Sequence, residues 1–157
     1  MMINKTYTLE EAKIKLEQFC VYQERCHQEV IKKLQLMHMI PEAIDVIVTH
    51  LIEHRFLNEE RFSKAFVRGK FNIKHWGRIK LRLELKRRHI SDYNITKALA
   101  EISEEEYQKV FYDLVKKKVS TLKEANIYKN RNTFVNYFLY RGWESELVYE
   151  ASRNFIS

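Results

Sequence analysis

Glycine and proline are nearly missing from this chain, at three and one of 157 residues. Loops that cradle phosphate need several glycines, and sheet-rich folds spend Gly, Pro and Asn on turns, so both are disfavoured. Cysteine is scarce too. Cys20 and Cys26 have no second pair, and their spacing is neither a zinc pattern nor a disulfide framework. Two reduced thiols in a cytoplasmic protein are expected. Cys26-His27 offers at most half of a four-ligand metal site, so packing is the expected role. The opening stretch MMINKTYTLEEAK is too polar for a signal peptide, and no apolar run approaches the roughly 20 residues that cross a bilayer. Also missing is any catalytic constellation. His50 and His54 lie at i, i+4 beside Glu53, but the HExxH arrangement of a metal enzyme is absent. The acids of Ser103–Glu106 fit a helix N-terminus better than a catalytic carboxylate pair. Neither enzyme activity, cofactor, metal nor small-molecule substrate is expected.

Positive charge is present, and it is concentrated. Between Arg68 and His89 stand nine cations, Arg68, Lys70, Lys74, Arg78, Lys80, Arg82, Lys86, Arg87 and Arg88, against the single acid Glu84. The segment therefore carries +8 in a chain of net charge +7, leaving about −1 for everything else. A single-sign patch of this density repels itself, and a docking surface for an anionic partner explains it better than a solvated helix face does.

Lys, Glu, Leu and Ile dominate the composition, which favours an all-α fold. Helix starts are legible at the capping boxes Thr8–Glu11, Ser103–Glu106 and Thr121–Glu124, at Asn58 ahead of Glu59-Glu60, and at Pro41. Gly142 fits a helix C-terminus. About nine short helices with short links are expected. Ile79–Leu85 alternates apolar and polar residues like a strand, yet it runs into Lys86-Arg87-Arg88 without a turn residue, and helix is the expected state. On a helical wheel Leu81 and Leu85 form one stripe and Ile79 and Leu83 another, with Arg78, Arg82, Lys86 and His89 on an edge between. That pattern predicts a helix sandwiched between neighbours.

Internal repetition supports stacked helical units. A shift of 51 places Val30, Leu34, Met39, Ile44 and Leu51 on Leu81, Leu85, Ile90, Ile95 and Ile102. A shift of 53 carries Leu81, Leu85, Ile90, Ile95 and Ala98 onto Phe134, Phe138, Trp143, Val148 and Ala151. The leading helices of the second and third copies match at 45, pairing Phe62 with Tyr107 and Phe66 with Phe111, so about eight extra residues fall near Val119–Tyr128. The expected architecture is three tandem three-helix repeats, 8–56, 57–102 and 103–157, in an elongated, curved array. Such an array offers a long concave surface and no deep pocket.

The run Asn58-Glu-Glu-Arg-Phe62-Ser-Lys-Ala65-Phe66-Val-Arg68, followed by Trp76-Gly77-Arg78-Ile79 and Leu85, resembles the RecX family, and the resemblance extends over nearly the whole chain. Its middle unit is the most specific part. Members commonly place glycine where the second helix of a unit ends; here His38 or Met39 and then His89 stand near those positions, and only Gly142 keeps the pattern. The resemblance implies an all-helical, cytoplasmic regulator of the RecA recombinase. It implies docking in the groove of the RecA–DNA filament and inhibition of ATP hydrolysis and strand exchange in recombination and DNA repair, without cofactor or chemistry.

On this reading the nine cations of residues 68–89 contact RecA or DNA, the DNA through phosphates and without sequence preference. Arg131, which occupies the position of Arg78 in the third unit (His27 in the first), is the outlying candidate, with a solvated helix start as its alternative. Tyr107, Phe111, Phe134, Phe138 and Trp143 are expected in the core. Core packing is also expected for His75 and Trp76, with stacking on a base or insertion into a partner pocket as the alternatives. The competing function is a stand-alone, sequence-nonspecific nucleic-acid-binding module.

Overall fold

The computed structural model describes residues 5–157, and among them every regular element is helical. In chain order these are α1 (Leu9–Tyr22), α2 (His27–Leu36), α3 (Pro41–Glu53), α4 (Glu59–Gly69), a π turn (Lys70–Lys74), α5 (Arg78–Arg87), α6 (Asp92–Leu99), α7 (Glu104–Thr121), α8 (Ile127–Tyr140) and α9 (Ser145–Phe155). The helix starts follow from local chemistry. Thr8 and Glu11 exchange the two hydrogen bonds of a capping box, Pro41 opens α3, and the Asn58 and Ser103 side chains accept from backbone N–H groups of α4 and α7.

Thr121 does not start a helix. It ends α7, and Asn126 caps α8 instead. The eight extra residues of the third copy go into a longer α7, a longer link, and an additional first turn of α8 at Ile127–Asn130.

The repeat is visible in how second helices stop. His38, His89 and Gly142 all take positive φ, at 62°, 59° and 87°. In each case the following residue donates back to the carbonyl five positions earlier: Met39 to Leu34, Ile90 to Leu85, Trp143 to Phe138. Each is a Schellman ending, and two of the three are built on histidine rather than glycine.

Two apolar cores result. The first gathers Ala12, Leu16, Val30, Leu34, Ile47 and Leu51 from α1–α3. The second runs from Phe62 to Ile156, and also takes in Cys26. Its centre is aromatic: Trp143 lies 4.6 Å from Tyr107, 5.1 Å from Phe111 and 6.2 Å from Phe71, centroid to centroid. Leu81 and Leu85 of α5 are buried in it, but Ile79 and Leu83 are exposed. Only one of the two stripes of α5 is covered, so this helix is not sandwiched.

The start of α5 is satisfied by the third repeat. Gly77 N–H donates to Arg141 O (2.8 Å), Ile79 N–H to Gly142 O (3.0 Å) and Arg78 N–H to the Tyr107 hydroxyl (3.0 Å). Trp143 Nε1 returns a bond to His75 O at 3.0 Å. Gly77 itself has no side chain to cap the helix, and its lack of one lets the α8–α9 turn approach. The surface is 10275 Å², whereas a compact monomer of this 19.1 kDa mass exposes about 8,400 Å². The excess fits an elongated array of three-helix repeats.

Candidate functional site

The end of α4, the π turn and α5 display the cationic segment, and the fold divides its nine charges into two groups. Arg68 donates to the Glu106 carboxylate at 2.7 and 3.0 Å and to Glu101 O at 2.7 Å, tying α4 to the third repeat. Arg78 lies with its guanidinium 3.7 Å from the Tyr107 ring centroid, paired with Glu104 (2.6 Å) and Glu144 (3.3 Å). The Tyr107 hydroxyl in turn donates to Glu144; burial, then that bond, push its pKa above the usual range. Arg88 is held by Glu84 at 3.1 Å and lies over Phe66. These three guanidinium groups serve internal contacts.

Of the other six, Lys74, Arg82, Lys86 and Arg87 are exposed, and Lys70 and Lys80 are half-buried against aromatic rings. Lys70 and Lys80 place their ammonium groups 5.2 and 4.6 Å from the centroid of the half-buried Trp76, and Lys80 is also 4.6 Å from Tyr140, which is 76% exposed. Lys74 shares a shallow hollow with Lys70 and Ile73. Arg87 pairs with Glu84 along its own helix, and Lys86 lies 3.7 Å from the exposed Asp92. Arg82 is exposed and has no ion-pair partner among the described residues. Lys70, Trp76, Lys80 and Tyr140 thus alternate cation and ring across the joint of the second and third repeats. Such a surface offers phosphates a charge and bases a flat face.

Arg131 lies apart from this group. Its guanidinium donates to Ile156 O at 2.8 and 3.1 Å, fastening the end of α9. Tyr140 carries a feature that sequence reasoning misses. It occupies the repeat position of Arg87 and Leu36, both exposed, so the 53-residue shift held the signal.

Elsewhere the chemistry is quiet. Cys20 and Cys26 are buried free thiols whose pKa burial pushes up to about 11, so thiolate is scarce at neutral pH. His50 Nε2 donates to the Glu17 carboxylate at 2.8 Å and the ring lies beside His54, but among the described residues no three His, Cys, Asp or Glu side chains converge to hold a metal. A concavity of about 720 Å³ between α2 and α4–α5 mixes Glu24, Glu29 and Glu84 with Lys32, Lys70 and Arg87 and does not extend the single-sign strip. Among the described residues no helix is long and apolar enough to cross a membrane.

Comparison with known proteins bears on residues 58–99, which match the family model described as RecX, second three-helix domain. That span contains the whole cationic segment. Similarity to proteins named Regulatory protein RecX extends further: 25% identity to the Clostridium beijerinckii protein and 28% to that of Clostridium botulinum, each over 126 residues and 79% of this chain. The chain is thus similar to RecX proteins over most of its length. It spans 58% of the length of each of those two relatives, and 52% of the Bacillus cytotoxicus protein, to which it is 21% identical. Among solved structures, the crystal structure of RecX from Lactobacillus salivarius superposes with a TM-score of 0.78 at 18% identity, covering 94% of this chain and 96% of that one. A second crystal structure, of regulatory protein RecX, gives 0.81 at 19% identity and covers 93% of this chain and 73% of that one. The RecX fold, all-α and built on three-helix repeats, is therefore the fold of this chain. Its named relatives are regulatory proteins.

Proposed function

We propose that this protein docks along the RecA–DNA filament in the cytoplasm and lowers RecA ATP hydrolysis and strand exchange, with no chemistry of its own. The repeats 8–56, 57–102 and 103–157 act as one elongated body whose middle member carries the electrostatic contact. The observation that supports this reading is the group of six cations other than Arg68, Arg78 and Arg88, with Lys74, Arg82, Lys86 and Arg87 exposed and Lys70 and Lys80 half-buried, on the repeat that matches the family model. A filament groove presents DNA phosphates and protein together, which suits a strip of this length and sign.

The test is RecA ATPase on single-stranded DNA, with the wild-type protein beside K80E/R82E/K86E. Arg78 is left intact in that variant because its contacts to Glu104, Glu144 and Tyr107 hold the second and third repeats together. Inhibition by the wild type and a loss of at least tenfold in potency for the variant are expected. Equal inhibition by both contradicts the role of the strip, and no inhibition by either contradicts the function.

A stand-alone nucleic-acid-binding module is the second reading, favoured by Lys80 lying between the Trp76 and Tyr140 rings. It predicts that DNA alone is bound as tightly as the filament.

A further inference from the structure

The face of α5 turned to solvent carries two large aliphatic side chains that the fold does not use. Ile79 is 54% and Leu83 48% exposed, one helical turn apart. They line a shallow groove of about 300 Å³ together with Arg78, Arg82, Lys86 and Glu144.

The other two repeats serve as an internal control. At the same positions α2 carries Gln28 and Lys32, and α8 carries Asn132 and Asn136. Polar residues therefore satisfy this helical position wherever packing and solubility alone decide it. The aliphatic pair occurs only in the repeat that also holds the cationic strip. Neither residue contributes to the buried cluster that holds Leu81 and Leu85.

Charge specifies what fits there. At 100° per residue, Arg82 and Lys86 flank the Ile79–Leu83 ridge on one side and Lys80 and Arg87 on the other. Among the described residues the groove-side pair is the less engaged: Lys86 reaches Asp92 alone, at 3.7 Å, and Arg82 reaches no carboxylate. The complement of an apolar ridge between cation rows is a helix or strand with apolar residues at matching spacing and Asp or Glu beside them. Nucleic acid supplies the negative charge, but it has no counterpart for two aliphatic side chains that lack a flat face. A second copy of this chain would set cation rows against cation rows on a molecule of net charge +7. Two aliphatics are too small a wedge to hold a bilayer surface.

We propose that the outer face of α5 is a docking site for an acidic, apolar-centred segment of a protein partner, with Ile79 and Leu83 as the anchors and Arg82 and Lys86 as the charge-matching pair. The cation–aromatic face with Lys70, Lys74, Trp76, Lys80 and Tyr140 is then left to nucleic acid. The inference rests on the filament reading for the partner's identity: the segment belongs to the protein component of the filament.

The experiment compares binding to RecA filaments on single-stranded DNA, and to the same DNA alone, for the wild type, I79N/L83N, I79L/L83I and K70E/K74E. I79N/L83N copies the residues of α8 and leaves the buried cluster intact, so its circular dichroism and melting curve should match the wild type. The expected result is a loss of at least tenfold in filament affinity for I79N/L83N, none for the apolar exchange I79L/L83I, and DNA-alone affinity within twofold of wild type for both. K70E/K74E should weaken binding to DNA alone. Unchanged filament affinity of I79N/L83N overturns the proposal, as does a matching fall in its DNA-alone affinity. A wild-type dimer that I79N/L83N converts to monomer in sedimentation would reassign the ridge to self-association. Flotation with phosphatidylglycerol vesicles that the same variant abolishes would reassign it to membrane, and either result overturns the proposal. Failure of the wild type to bind filaments at all is the distinct failure of the filament reading, and the partner assignment falls with it.

Discussion

At the scale of single residues, left-handed backbone has been placed on histidine. His38 and His89 occupy the same Schellman position as Gly142, yet each carries a Cβ at φ near +60°. A side chain in that region costs about 1–2 kcal/mol, against the roughly 0.5–1 kcal/mol of unfolded-state entropy that glycine forfeits. His89→Gly is therefore expected to stabilise the protein by about 0.5 kcal/mol in urea melts, and a destabilisation would contradict the strain argument. Arginine shows the limit of counting charges along a sequence. Arg78 lies inside the densest cationic run, but the acids that occupy it, Glu104 and Glu144, are 26 and 66 residues away. A local charge sum cannot reveal partners brought by the fold, so the division of the cations into internally held and remaining ones was not legible. Nor was the role of Arg131, which depends on where the end of α9 packs.

The helical elements were largely legible, because caps and stops are local. Thr8, Asn58, Pro41 and Gly142 each do what their chemistry suggests. Thr121–Glu124 was misleading for the same reason: its residues suit a cap, but Thr121 follows seventeen helical residues that begin at Ser103's cap, and the helix simply runs through it. The helical state of α5 was legible despite its alternation. Periodicity gave two stripes, but it could not say that only Leu81 and Leu85 would be covered, since that depends on which neighbours arrive. Most dependent on tertiary structure is the start of α5, whose amides are satisfied by the α8–α9 turn. A Cβ on Gly77 would lie 2.4 Å from Gly142 O and 2.7 Å from Trp143 Cα, both backbone atoms that cannot rotate away. Gly77→Ala is expected to force the turn off the helix, at a cost of about 3 kcal/mol. Hydrogen exchange at the Arg78 and Ile79 amides should then accelerate by at least tenfold. Unchanged exchange there would show that α5 does not depend on the third repeat.

Considered whole, the molecule is an array with two cores, in which the second and third repeats are fused by aromatic packing and shared backbone bonds while the first keeps a core of its own. The fused pair gives the strip a fixed backing, and Tyr140 from the third repeat completes the cation–aromatic row begun by Lys70 and Trp76 in the second. A rigid row of this kind keeps its charges in register with a regular anionic track, whereas the same residues on a mobile tail would not. The central claim is that these particular cations, rather than the net charge, meet that track. Binding to RecA filaments across a salt series tests it most directly, with the wild type beside a Lys70, Lys74 and Lys80 to Gln variant. A steep fall of affinity with salt is predicted for the wild type, with a log–log slope that becomes shallower by about 2 in the variant, near 0.7 for each phosphate no longer neutralised. Identical slopes for the two proteins, or affinity indifferent to salt, would contradict the account.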